Sequence, residues 1–315
     1  MMRKLLLCIA LAVCSTVMAQ QSDGEEQRTV LLEEFTTEQC VNCPRMAGWL
    51  EGLLSEESYS QRVILVEHHA GFGTDWLTTD YDSELLWFYN DNGTTYCPAL
   101  MADRTPLEGD NTPVINPSSQ DALKSIVDER LAEEPGVSLQ VSGTFDPSTY
   151  EANIHVEGES LGSYPSRITV MMVEDDVLAK SQEGASGSFT HHNVTRKVNS
   201  TWGDELEWNG DNFSYECSMK IERSYMKKNV SFVVMVSDYD SADPTACRVA
   251  NAAVIDEPSL VSTGISNLTN STNNPTEYYS LSGIRLTTAP KGICIVKKAD
   301  GSTFIMHNAQ CIMHN

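Results

Sequence analysis

Hydrophobic and polar positions follow two different rules along the chain, and the rule changes near its middle. Val30 to Phe35 is a short apolar run, and Arg62 to His68 (RVILVEH) is a continuous β-branched one. Between them Met46, Leu50, Leu53 and Leu54 recur at helical spacing. Short continuous runs predict strands buried on both faces, as in parallel sheets. A helical or irregular stretch with Trp76, Leu77, Leu85, Leu86, Trp87 and Phe88 follows, then a strand after Pro98. Ser119 to Glu133 predicts an amphipathic helix: Leu123, Ile126, Val127 and Leu131 share one face, and Ser118 or Ser119 supplies the N-cap. Pro135-Gly136 is a break. Beyond it VSLQVSGTF, NIHVEGES, RITVMMVED, FSYECSMKIE and VSFVVMVSD are short runs, several of them alternating, separated by Gly, Asp, Asn and Pro. That pattern predicts an antiparallel, immunoglobulin-like β-sandwich. The insert between Leu178 and Asn212 holds His191, His192, Arg196 and Trp202 with few strand signals, the composition of a functional or disordered loop.

The expected layout is therefore a leader at 1–19, a polar, disordered stretch at 20–28 and an α/β domain at 29–134. A β-sandwich at 137–257, a Ser/Thr/Asn-rich linker at 258–274 and a short β module at 275–315 complete it. The leader reading rests on Arg3-Lys4, the apolar run to Met18 and the small Ala19, the pattern of a secretory signal peptide cleaved after Ala19. Cys14 sits in an approximate lipobox, with Val13 an unfavourable residue before it. No later stretch is long and apolar enough to span a bilayer as a helix.

Charge sharpens the picture. The chain carries a net charge of −23; without residues 1–19 it has 19 basic residues against 44 acidic ones, or −25. Such a surface excludes binding of nucleic acid or anionic lipid through charge. Removing Cys8 and Cys14 from nine cysteines leaves seven, an odd number, so at least one thiol is free or pairs between chains. Export to an oxidising compartment permits disulfides.

The candidate chemistry lies at the first apolar run. It feeds a polar turn with Cys40 and Cys43 two residues apart, then Pro44 and the first helix. In the order strand, turn, CxxC, helix, the first sulfur meets unpaired N–H groups and the positive end of the helix dipole, which favour a thiolate. Pro44 suits a first helical turn, where its missing N–H is not needed. No second CxxC or HxxxH follows at zinc spacing, so the motif context is thioredoxin-like.

LLEEFTTEQCVNCP resembles the opening of the thioredoxin-like domain in the Bacteroidetes outer membrane protein 28 family. Val66-Glu67-His68-His69-Ala70-Gly71-Phe72 resembles that family's strand ending in His-Ala-Gly. HHNVTRK (His191 to Lys197), then SFVVMVSD and VANAAVID, continue the likeness, which covers most of the mature chain. The resemblance implies a thioredoxin-like domain followed by a β-sandwich in an outer-membrane or surface protein, and it names no substrate. In such a fold Pro98 is the cis-proline abutting the CxxC, and Cys97 faces it. The chain departs from the pattern where Glu38-Gln39 replace the usual aromatic before the CxxC. The last segment, with Tyr279, Leu281, Gly283, Pro290, Lys291 and Gly292, resembles C-terminal modules of Bacteroidetes secreted proteins, which direct export or surface attachment. Its AQCIMHN ending is untypical.

Three function classes follow. A thiol–disulfide oxidoreductase would use Cys40 as attacking thiolate, Cys43 as resolving thiol, Pro98 beside them and Cys97 as an extra thiol or substrate contact; its partners would be protein thiols or disulfides. A non-catalytic, adhesin-like surface protein would keep the Cys40–Cys43 pair as a permanent brace and bind a surface partner. A metal carrier would use the soft ligands Cys40, Cys43, Cys97, His68 and His69 to hold Cu(I) or zinc. No other cofactor is expected. His191 to Arg196 forms either a contact surface or a capped loop with a structural arginine. Cys217 with Cys247, and Cys294 with Cys311, are possible pairs.

Overall fold

Strand β1 (Val30–Thr36) is buried along its whole length, Glu33 and Glu34 included, because both of its faces are covered. The cover is visible in this computed structural model, which describes residues 28–90, 94–225 and 227–262 and the strands at 277–279, 285–286, 292–297 and 303–308. Helix α1 (Cys43–Leu54) and the short α2 (Glu57–Ser60) lead to β2 (Val63–His69), which runs parallel to β1 from Val30 beside Val63 to Thr36 beside His69. Helix α3 (Asp80–Tyr89), strand β3 (Ala99–Ala102) and helix α4 (Gln120–Leu131) follow. β3 pairs antiparallel with β1, and a bridge between Leu100 and Ile115 extends the sheet by one residue pair. The Cys97–Pro98 peptide is cis, immediately before β3.

Side chains of β1 alternate between two cores. Val30 and Leu32 meet Met46, Leu50 and Leu53 of α1 and Leu123 and Val127 of α4. Leu31 and Phe35 meet Tyr81, Leu85, Leu86 and Tyr89 of α3. Ser119 caps α4 by accepting the Ala122 N–H, and Thr79 and Asp82 close a reciprocal capping box on α3. Parallel β1 and β2, antiparallel β3 behind a cis-proline, and a CxxC at the start of α1 make this half thioredoxin-like.

The chain continues through β4 (Val137–Asp146), β5 (Glu151–Ser160), β6 (Arg167–Glu174), β7 (Val177–Leu178), β8 (Thr190–His191) and β9 (Val194–Val198). Then come β10 (Asp204–Glu205), β11 (Asn212–Lys220), β12 (Val230–Ser237), β13 (Val249–Asp256) and β14 (Val261–Ser262). Pro135-Gly136 breaks the chain but not the sheet. One mixed sheet runs β13-β12-β6-β9-β2-β1-β3, with β10 on β6, and a second runs β11-β5-β4-β14. The join is a single parallel pairing of Glu67 with Val194.

This topology explains why β6 and β12 read as unbroken apolar runs while β5 alternates. Ile168, Val170 and Met172 of β6 and Phe232, Val234 and Val236 of β12 pack against Ile154, Val156, Phe213 and Met219 of the second sheet. Met171, Val173, Val233 and Met235 point the other way, into the core of α3. The two sheets form a sandwich, and one of them is shared with the thioredoxin-like half.

Several expectations need correction. Arg28, placed in the disordered stretch, is buried and donates to Asp103 and to the carbonyls of Val249 and Ala250; residues 1–27 lie outside the described residues. The insert between Leu178 and Asn212 contains β8, β9 and β10. β9 (VTRKV) is polar because its stability comes from its ladder with β6 and from Arg196, which bridges to Glu174 at 2.8 Å. Cys217 and Cys247 are both free: β11 carries Cys217 in one sheet, and Cys247 precedes β13 in the other. The linker begins later than 258, since Val261 and Ser262 still pair with β4.

The chain divides into two compact units after residue 263. The second contains β15 (Glu277–Tyr279), β16 (Arg285–Leu286), β17 (Gly292–Lys297) and β18 (Thr303–Asn308), an antiparallel sheet ordered β16-β15-β17-β18. Cys294 lies on β17, and Cys311 lies outside the described residues. Among the described residues no helix is long and apolar enough to cross a membrane.

Candidate functional site

β1 ends at Thr36, and α1 begins at Cys43, so the turn between them brings Cys40 to the helix N-terminus. Cys40 and Cys43 form a disulfide with Sγ atoms 2.10 Å apart. The Cys43 N–H donates to Cys40 Sγ at 3.1 Å. That donor and the helix dipole favour a thiolate on Cys40 once the bond is reduced.

The cis peptide before β3 brings Cys97 to the same place. Its Sγ lies within 4.8 Å of both disulfide sulfurs and 3.8 Å from Thr37 Oγ1. Burial pushes the Cys97 thiol above its ordinary value, against hydrogen bonds from Thr37 and the Phe72 backbone. The close fit needs Gly71: a Cβ there would stand 2.5 Å from Cys97 Sγ. The structure thus brings Cys40, Cys43, Cys97 and Pro98 together.

The insert between β7 and β8 covers this turn. Gln182 Nε2 donates to the carbonyls of Thr37 (3.2 Å) and Cys40 (3.0 Å), and the Glu183 N–H donates to the Glu38 carbonyl (2.8 Å). Glu38 Oε1 accepts from the Lys180 N–H and from Trp76 Nε1. Gly184, at φ +81°, lies so close to the Val41 carbonyl that no side chain fits. Cys40 and Cys43 are consequently only 1% and 2% exposed. Around them Val41 (62%), Phe72 (59%) and Trp76 form an exposed apolar rim. Glu38, which replaces the usual aromatic, anchors this strap. Its contacts span some 140 positions of sequence, and no local signal reports them.

The proposed soft-metal set does not assemble. The three cysteines cluster, but His68 faces α3, where Nδ1 is 2.9 Å from Asp82 and 3.1 Å from Thr195 and Nε2 is 3.4 Å from Glu33. Burial lowers the His68 pKa, but Asp82 and Glu33 outweigh it and leave it raised. Glu33 is itself fully buried; burial raises its pKa, but Arg104 and then His68 bring it down to about 2. Arg104 grips Glu33 through two nitrogens, at 2.7 and 2.8 Å, and also donates to Tyr89 and Tyr81. His69 points to the α1 face, toward Glu67 and His191 rather than toward the sulfurs.

His191 to Arg196 is a strand segment rather than a loop: it forms β8, a two-residue turn and the start of β9, where His191 and His192 contact Glu67 of the first half and Arg196 is the structural arginine bridging to Glu174. The residues that pattern reading missed are Glu34, Glu38, Glu67 and Gln182. For Glu34 a signal existed: Glu33 and Glu34 are adjacent in a strand flanked by apolar residues, so their side chains go to opposite faces and both are buried.

No protein-family model matches the chain, and no curated protein matches it. Its fold is similar to a solved structure described as HBP35 of Porphyromonas gingivalis, with a TM-score of 0.67 and 16% identity, covering 90% of this chain and 98% of that one. A domain of the outer membrane lipoprotein Omp28 from Porphyromonas gingivalis also matches, at a TM-score of 0.28 and 18% identity over 41% of this chain and 92% of that one. The first likeness shows the fold; the second carries no argument.

Proposed function

We propose that the chain is an exported cell-envelope protein that exchanges disulfides with other proteins through Cys40 and Cys43. The observation that carries this reading is the Cys43 N–H donating to Cys40 Sγ at the start of α1, with Cys97 and the cis-proline beside it. A substrate thiolate attacks Cys40 Sγ, a mixed disulfide forms, and Cys43 leaves as a thiolate that takes up a proton. A second substrate thiol then attacks the mixed disulfide, so the substrate leaves oxidised and the protein keeps both thiols. The reverse sequence reduces a substrate disulfide. Cys97 is close enough to intercept the mixed disulfide. The apolar rim of Val41, Phe72 and Trp76 suits an extended polypeptide as partner. Export rests on the leader and on a disulfide chemistry that an oxidising compartment sustains. The immunoglobulin-like character of the sandwich and a surface-attachment role for the C-terminal sheet belong to the same proposal and rest on the sequence resemblance.

One observation favours the second reading, a scaffold with a permanent brace: both cysteines are almost wholly covered by the strap. A redox titration in glutathione buffers, with differential alkylation of Cys40, Cys43 and Cys97, separates the two. An exchange protein gives a Cys40–Cys43 potential between about −270 and −120 mV, whereas a structural pair lies below about −300 mV. A pair that stays oxidised throughout sinks the exchange reading and leaves the surface-binding scaffold.

A further inference from the structure

Beneath α1 lies a polar cluster that the disulfide chemistry does not use. Glu67 and His69 project from β2 toward that face, and His191 joins them from β8. One ligand atom from each lies within 4.8 Å of the others, and all three residues are buried. His69 Nδ1 is 2.8 Å from Asp75 Oδ2, and His191 Nδ1 is 3.1 Å from Glu67 Oε2. Asp75 accepts from the His69 Nδ1–H, which leaves the lone pair on His69 Nε2; Glu67 accepts from the His191 Nδ1–H, and an ion would take that proton's place between the two. Both Nε2 atoms are buried and have no hydrogen-bond partner. Glu34, the register neighbour of Glu67, is 1% exposed, and neither of its carboxyl oxygens has a partner.

Buried polar atoms in folded proteins are nearly always paired, so several orphans in one place point to a missing partner. A hydrogen-bond donor would serve the lone pairs singly. A cation serves the imidazoles and the neighbouring carboxylates together. We infer that Glu67, His69 and His191 bind a divalent transition-metal ion of the zinc class. Two imidazoles and a carboxylate suit that class, and His69, held by Asp75 at its second nitrogen, has the usual surroundings of a ligating imidazole. Bonds of about 2.1 Å in tetrahedral geometry set ligand atoms roughly 3.4 Å apart. A cavity of about 320 Å³ between α1 and β2, lined by Glu34, Leu50, Leu54, Glu67, Asp175 and His192, reaches the cluster at Glu67. The cysteines take no part, so the site stands or falls apart from disulfide exchange.

The test is equilibrium dialysis of the full, oxidised chain against Zn²⁺, with Co²⁺ as a spectroscopic substitute. The site predicts one ion per chain and a Co²⁺ visible spectrum without thiolate charge-transfer bands. It predicts at least a tenfold affinity loss in His191→Gln and in His69→Gln, and retention in the Cys40→Ser, Cys43→Ser, Cys97→Ser triple variant. Zn²⁺ should also raise the melting temperature of the wild-type protein, a readout that does not depend on any variant folding. Wild-type protein that retains no ion and shows no thermal shift overturns the inference. So does an ion lost from the cysteine variant but kept by both histidine variants, which would place it on sulfur.

Discussion

Replacing Gln182 with alanine should expose the disulfide without unfolding the protein. Gln182 Nε2 makes two hydrogen bonds to the CxxC turn, at 3.2 and 3.0 Å, while its own Oε1 is buried without a partner. Each bond contributes about 1 kcal/mol net, and the orphaned Oε1 offsets part of the pair. The strap should therefore lose roughly 1–2 kcal/mol of closed-state preference, about 5- to 30-fold in the open population. If reductant reaches Cys40 only through the open state, the second-order rate of reduction by dithiothreitol should rise by that same factor. Stopped-flow quenching with alkylation, analysed by mass spectrometry, measures it. The melting temperature should move by only a few degrees, since the strap is peripheral to the cores around β1, β6 and β12. A rate within twofold of wild type, with the fold intact, would refute the strap as the barrier.

The remaining expectations concern the buried charges and the Cys97 contact. Arg104→Met strips the fully buried Glu33 of its main partner and leaves it only His68, and urea unfolding should show a loss of about 3–5 kcal/mol; the double variant with Glu33→Gln should recover much of it. Because Glu33 is held near 2 in the folded chain, it binds protons less readily there than when unfolded. Its contribution, on the order of 3 kcal/mol, is present above pH 4.5 and is lost as pH falls toward 2, so acid unfolding curves of Glu33→Gln should be flatter in that window. Gly71→Ala drives a methyl group against Cys97 Sγ; the expected cost is about 1–3 kcal/mol in denaturant, with faster alkylation of Cys97 as it is displaced.

Much of the first half was legible because its signals are local. The apolar run of β1, the CxxC, the proline ahead of β3 and the serine cap of α4 each sit where the pattern places them. The second half was legible as strands but not as a sheet order. Ile168 and Met171 look alike in sequence, and only the topology assigns one to the second sheet and the other to α3. β9 was hidden for a related reason: Thr195, Arg196 and Lys197 carry no apolar signal, yet backbone pairing and an ion pair hold them in the middle of the sheet. The site shows the same division. Cys40 and Cys43 announce themselves, whereas Glu38, Gln182 and His191 gain meaning only from contacts across more than a hundred residues.

The single pairing of Glu67 with Val194 has a consequence for how the molecule is made and how it can be cut. A fragment ending near residue 134 would leave the outer side of β2 as an open edge, ready to template other strands. It would also strip α3 of the Met171, Val173, Val233 and Met235 that cover it. As the chain is synthesised, the cysteine-bearing half waits in that unfinished state until β9, β6 and β12 arrive. The cysteine-bearing portion is therefore not a detachable cassette, because its sheet and its α3 core are completed by residues from β6, β9 and β12.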